Sequence, residues 1–151
     1  MIISLRKATP NDAELTFKIE QFSIKEYADK MYETKRQTYK REFNHQNIQI
    51  IEVANKAIGY LEIEEKNHSF EIINILIHKY FQNQGFGKLL LNNIIEEAQI
   101  NSKGIELQVL KNNPKAKRFY ENAGFQVYFE TEFEFKMKLS HANRLFRSEM
   151  D

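Results

Sequence analysis

The chain has 151 residues, 28% of them charged, a net charge of +1 and no cysteine. Its length suits a single domain, residues 1–151, with a substantial core. Near-balanced charge speaks against bulk attraction to nucleic acid or to a membrane surface. The absence of cysteine excludes a disulfide framework, a thiolate metal site and a cysteine nucleophile.

The start, Met-Ile-Ile-Ser-Leu-Arg-Lys, lacks the long apolar core of a signal peptide, and no stretch approaches transmembrane length, so a cytoplasmic protein is expected. Residues 2–7 read as a first strand. Thr9-Pro10-Asn11-Asp12 reads as a helix start, with Thr9 as N-cap and Pro10 at the first helical position. Leu15, Ile19, Phe22 and Ile24 carry that helix on. Tyr32, Tyr39 and Phe43 mark a second helix in polar, aromatic-rich sequence. Residues 49–53 and 57–64 read as two strands around a hairpin turn at Asn55-Lys56. Residues 72–77 are nearly all apolar, as in a strand covered on both faces. Asn74 is the polar exception and, if buried, needs a partner.

Residues 82–88, Gln-Asn-Gln-Gly-Phe-Gly-Lys, follow that strand and open a helix that runs to about Gln99. A strand, a glycine-bearing turn and a helix start make a phosphate cradle. The first N–H groups of the helix lack acceptors, and the helix dipole adds positive charge there. Gly85 and Gly87 let a ligand approach the backbone, and Lys88 adds a cation. A P-loop is excluded because Leu89, not Ser or Thr, follows Lys88 and no glycine lies at the required distance upstream. A dinucleotide fingerprint is opposed by Leu90 at its third glycine position. The spacing that fits is Gln/Arg-x-x-Gly-x-Gly/Ala, met by Gln82, Gly85 and Gly87.

Farther on, residues 105–110 alternate apolar and polar, the period of a strand. Asn113 reads as an N-cap with Pro114 at the first position, and Ala116, Phe119, Tyr120 and Ala123 give a short helix an apolar side. Gly124 suits the left-handed position that ends it, and residues 125–128 resume a strand. Residues 129–139 read as an amphipathic strand, with Phe129, Phe133 and Phe135 inward and Glu132, Glu134 and Lys136 outward. The tail, 141–151, holds Leu145 and Phe146 in polar context. It would be frayed, or a short helix docking on this chain or on a partner; separately, a homodimer is a possible assembly.

The loop, together with Asn-x-x-Ala-x-x-Phe-Tyr-x-x-x-Gly-Phe from Asn113 to Phe125, resembles the GNAT superfamily of GCN5-related N-acetyltransferases. The resemblance runs over about 58–128, is weak over the first fifty residues and is absent from the last ten. It implies an α/β (α+β) fold with a mixed, mostly antiparallel central sheet flanked by helices. It also implies acetyl-CoA as cosubstrate, a primary amine of a small molecule or protein as acceptor, and direct attack of that amine on the thioester. No metal is called for. On this resemblance the backbone of Ile75, Leu76 and Ile77 would pair with the pantetheine arm, and an N–H there would polarise the thioester carbonyl. Gln82, Asn83, Gln84, Gly85, Phe86, Gly87 and Lys88 would hold the diphosphate. Asn113 would contact the arm, although capping explains it equally well. Tyr120 would be the acid for the leaving thiolate, a phenol near ~10 serving a thiol near ~8.5. Glu62, Glu64 and Glu71 are candidate bases, with Asn74 orienting a water or the amine. Loss of the proton to water, with no dedicated base, stays open. The acceptor cleft is expected among Tyr27, Tyr32, Glu33, Tyr39, Phe43, Tyr128, Phe129, Glu130, Glu132 and Glu134, where aromatics and carboxylates would suit a cation. A non-catalytic acyl-CoA sensor is the alternative, and a nucleotide-binding domain of another family is a weaker one.

Overall fold

The computed structural model describes residues 2–23 and 32–140. Ile24, Tyr27 and residues 141–151 lie outside the described residues, as does the side chain of Phe22. In chain order the elements are β1 (Ile3–Lys7), α1 (Ala13–Ser23), α2 (Tyr32–Glu42), β2 (Ile48–Val53), β3 (Lys56–Glu65), β4 (Ser69–Ile77), α3 (Phe86–Ile100), β5 (Gly104–Leu110), α4 (Pro114–Asn122), β6 (Gln126–Glu130) and β7 (Glu134–Leu139). The seven strands hydrogen-bond in the order β1-β2-β3-β4-β5-β7-β6. The β1–β2, β2–β3, β5–β7 and β6–β7 pairs are antiparallel, and β4–β5 is parallel. This is the mixed, mostly antiparallel sheet expected. The parallel pair needs a crossover rather than a hairpin, and α3 supplies it.

The chain divides into two compact units, Met1–Ile63 with Asn74–Leu89, and Glu64–Ile73 with Leu90–Asp151. In the first, the entry to α1 is fixed by charge. Both terminal nitrogens of Arg6 donate to the Asp12 carboxylate at 2.9 Å, and the Thr9 N–H donates to it at 2.8 Å. Pro10–Asp12 form a single 3-10 turn, entered from an extended Thr9, so Pro10 sits where its missing N–H does no harm. Ala8, Ile19, Ile48, Ile50 and Tyr60 then pack into one cluster with Leu15, Phe43, Ala57 and Leu76 against it.

The hairpin between β2 and β3 turns one residue earlier than expected. Ala54 and Asn55 both have left-handed φ, +51° and +62°, and Val53 pairs with Lys56. Two left-handed central residues match the right-handed twist of the flanking strands, which the Asn55-Lys56 reading missed. On β3, Gly59 lies so near β4 that a Cβ there would fall 2.2 Å from the Leu76 carbonyl oxygen. Only glycine allows that approach.

In the second unit Leu90, Leu91, Ile94, Ile95 and Ala98 are buried, an unbroken helical stripe on α3. Ile105, Leu107 and Val109 of β5 and Met137 and Leu139 of β7 are buried at strand period. Each such aliphatic side chain contributes about 2 kcal/mol of burial. The parallel β4–β5 ladder runs from Ser69↔Gly104 to Ile72↔Leu107 and ends there, while β5 stays paired with β7 to Leu110↔Glu134. The expectation of one strand over 129–139 is corrected. The chain turns between β6 and β7, Phe133 in that turn is 69% exposed and Phe129 is 54% exposed, so neither points inward. A period-2 pattern continues across a tight turn unchanged, so periodicity alone could not locate the break.

Candidate functional site

The loop after β4 is held by its own glutamines. After a 3-10 turn, Lys79–Phe81, the Gln82 side-chain amide donates to the Ile77 carbonyl at 2.8 Å, and that of Gln84 donates to the Tyr80 carbonyl at 2.9 Å. Asn83 and Gly85 have φ of +61° and +85°, conformations that asparagine tolerates and glycine adopts freely. The Phe86 side chain is buried and anchors the first turn of α3, leaving only its backbone for a ligand. The first helical hydrogen bond runs from the Leu89 N–H to the Gly85 carbonyl at 3.1 Å, so the N–H groups just before it have no acceptor in the helix. A Cβ at Gly85 would meet nothing within 4 Å. That open ground, beside free helical N–H groups and an exposed Lys88, fits a diphosphate. Gln82 is thereby a pin for the loop. Burial, helped by Lys79 and Lys56, pushes the His78 imidazole below its ordinary value, which keeps it neutral beside this cationic end.

The same unit brings Glu62 and Asn74 together. The Asn74 amide donates to Glu62 Oε1 at 3.2 Å, which answers the question of a partner for Asn74. Tyr60 and Glu62 share one side of β3 by the two-residue period, and the Tyr60 hydroxyl donates to Glu20 Oε2 at 3.2 Å. One turn back on α1, Thr16 Oγ1 accepts from the Tyr39 hydroxyl at 2.9 Å. Phe17 touches Tyr32 and Tyr39 at ring separations of 5.4 and 5.2 Å, and Tyr39 stacks on Phe43 at 5.8 Å. Three expected acceptor aromatics, Tyr32, Tyr39 and Phe43, therefore gather here. Burial, followed by the neighbouring Glu20 charge, pushes the Tyr60 phenol far up. Burial, and then the Glu62 charge, raises the Glu20 carboxyl against the lowering bond from Tyr60.

Glu20, Tyr60 and Thr16 were missed in the sequence. The available signal was the four-residue step from Thr16 to Glu20, which puts both on one helix face. Several expected carboxylates are engaged or exposed instead. Glu71 is ion-paired with Lys66, Glu33 with Arg36, and Glu130 with Lys111. Glu64 and Glu132 are exposed.

In the second unit, the Asn113 side-chain oxygen accepts from the Ala116 N–H at 3.1 Å and caps α4, which leaves its amide N–H groups available. Gly124, at φ +104°, ends the helix as expected. Tyr120 sits edge-on to Phe119 and Phe125 at 5.1 and 5.5 Å. Its hydroxyl has no hydrogen-bond partner among the described residues, which an ordinary packed tyrosine would have. Burial pushes the phenol up to about 12. It therefore stays protonated at neutral pH and is available as a hydrogen-bond donor, while complete transfer of its proton to a thiolate near ~8.5 is uphill.

Residues 44–127 match the family model described as an acetyltransferase (GNAT) domain. No curated protein matches the chain by sequence. Solved structures do. The PaiA N-acetyltransferase of Thermoplasma acidophilum, in complex with coenzyme A, superposes with a TM-score of 0.75 at 20% identity, covering 93% of this chain and 99% of that one. A mutant form of the spermidine N-acetyltransferase SpeG of Vibrio cholerae gives 0.71 at 22% identity, covering 97% and 98%. The ribosomal-protein-S18-alanine N-acetyltransferase of Escherichia coli gives 0.70 at 19% identity, covering 91% and 93%. At these identities the likeness is one of fold.

Proposed function

The chain belongs to the GNAT acetyltransferase domain family, and from that premise we propose that it transfers the acetyl group of acetyl-CoA to a primary amine by direct attack. The observation that carries this reading is the strand–loop–helix of residues 75–88, with open ground at Gly85 in front of the first N–H groups of α3. Gln82, Asn83, Gln84, Gly85, Phe86, Gly87 and Lys88 hold the diphosphate, chiefly through the backbone. The backbone of Ile75, Leu76 and Ile77 receives the pantetheine arm as an added strand, and Asn113 meets the arm through its side-chain amide. Tyr120 donates a hydrogen bond to the sulfur as negative charge develops there, supported by a hydroxyl with no other partner among the described residues. Glu62, held by Asn74, binds the acceptor ammonium.

The spermidine and ribosomal-protein enzymes of the same fold bracket the acceptor between a small polyamine and a protein amine. Residues 1–151 act as one acetyltransferase domain in the cytoplasm, alone or as a homodimer, which light scattering would separate. No described helix is long and apolar enough to cross a membrane. Calorimetric titration with acetyl-CoA, with ATP and NAD as controls, tests the cosubstrate. Selective micromolar binding is expected, followed by thiol release with a panel holding spermidine and an alanine-terminated peptide. Binding of ATP or NAD in place of acetyl-CoA would sink the reading.

A further inference from the structure

Glu20 and Glu62 stand apart from the ion-paired carboxylates of the first unit. Glu14 takes two bonds from Arg36, Asp12 two from Arg6, and Glu52 is paired with Arg6. Glu20 and Glu62 are both half-buried, and neither is ion-paired among the described residues. Instead Glu20 is held by a phenol and Glu62 by a carboxamide. Tyr60 is 2% exposed and fixed in the core, so its hydroxyl sets where the Glu20 carboxyl lies, over the face of β3 that bears Glu62.

We propose that Glu20 is the proton acceptor of the reaction, while Glu62, tied to Asn74, holds the acceptor ammonium. This rests on the acetyltransferase reading and adds a catalytic residue to it. Two carboxylates in unlike surroundings, one held by a phenol and the other by a carboxamide, divide the labour. The groups in play around Glu20 are Tyr60 and Glu62 on β3 and Tyr39 on α2. They are neutral or negative, so a cationic amine is the missing complement. The amine arrives as an ammonium ion and gives one proton to Glu20. Its freed lone pair forms the C–N bond at the thioester carbonyl carbon. The C–S bond breaks and its electron pair leaves on sulfur. The second nitrogen proton passes to the departing sulfur, so amide and thiol leave neutral. Glu20 returns its proton to solvent.

The test compares Glu20→Gln with Glu20→Asp and wild type, using spermidine and the alanine-terminated peptide as probe amines. Glu20→Gln keeps an acceptor oxygen for Tyr60, so its melting temperature should move little. Its kcat/KM should fall about 100-fold or more, and the acidic limb of the pH profile should vanish. Glu20→Asp should restore part of the rate. Acetyl-CoA affinity should stay unchanged in both. An unchanged profile in Glu20→Gln, with wild type active, overturns the role of Glu20 and leaves the acetyltransferase reading standing. Carboxyl carbon NMR of wild type decides independently of any acceptor. Glu20 should titrate above ordinary glutamates and return toward them in Glu62→Gln. Ordinary titration in both proteins would overturn the inference, even for a chain that turns over neither amine.

Discussion

The loop proposed for the coenzyme and the face proposed for the acceptor lie in the same unit and are built in opposite ways. The loop works through its backbone: its polar side chains are exposed or turned onto carbonyls, and what it offers a ligand is N–H groups and room. The acceptor face works through side chains from α1, α2, β3 and β4, each set by the packing of its own element. A backbone site needs glycines at fixed spacing and so leaves a motif. A side-chain site assembled from four elements leaves none. It should accordingly be insensitive to loop changes, and the loop insensitive to changes on the face.

The largest effect should come from Gly87→Trp. An indole on the first turn of α3 should cost about 100-fold or more in acetyl-CoA affinity, near 3 kcal/mol, by calorimetry. The hydrogen bonds of the acceptor face should be untouched. Unchanged affinity would show that the backbone of this loop is not the coenzyme site. Tyr120→Phe removes one hydroxyl from a side-chain position. A fall in kcat of about 100-fold is expected with acetyl-CoA affinity held, and full retention of turnover would strike Tyr120 from the mechanism.

Next comes Asp12→Asn, which loosens the entry to the helix carrying Glu20. Loss of its charged bonds should cost about 2 kcal/mol at neutral pH, read from urea unfolding. Arg6 is the main cause holding the Asp12 carboxyl down at about 2, from an ordinary 3.8. A depressed carboxyl contributes fully above its unfolded value and loses that contribution as pH falls toward the folded one. The difference between variant and wild type should therefore shrink between pH 4 and 2. A difference constant over that range would put the effect on packing instead.

The smallest effect separates two roles in one residue. Asn113→Asp keeps the capping oxygen and removes the amide donor. Stability should hold, while acetyl-CoA affinity weakens by roughly 3- to 10-fold, the worth of one hydrogen bond. Equal affinity would leave Asn113 a cap alone.

Much of the molecule was legible before any coordinates. The Thr9-Pro10 and Asn113-Pro114 starts and the Gly124 stop are local chemistry, because caps, proline and left-handed glycine act within a few residues. The glycine spacing of residues 82–88 and the Asn113 to Phe125 pattern were enough to place the chain in its family. Local rules failed where neighbours were needed. The turn at Ala54-Asn55 rests on strand twist, and the break between β6 and β7 hides in a continuing alternation. Gly59 reads as an ordinary strand residue until the Leu76 carbonyl is seen 2.2 Å from its missing side chain.

The sequence by itself determined the cradle, the caps and the family, since each depends on spacing along the chain. Only the tertiary structure decided which carboxylates are spent and which are not. Glu14 and Glu20 lie on one helix and look alike in sequence. Arg36, twenty-two residues on, holds the first carboxyl down, while burial raises the second over a Tyr60 forty residues away. Charge and desolvation act through space, and a chain of letters does not record distance in space.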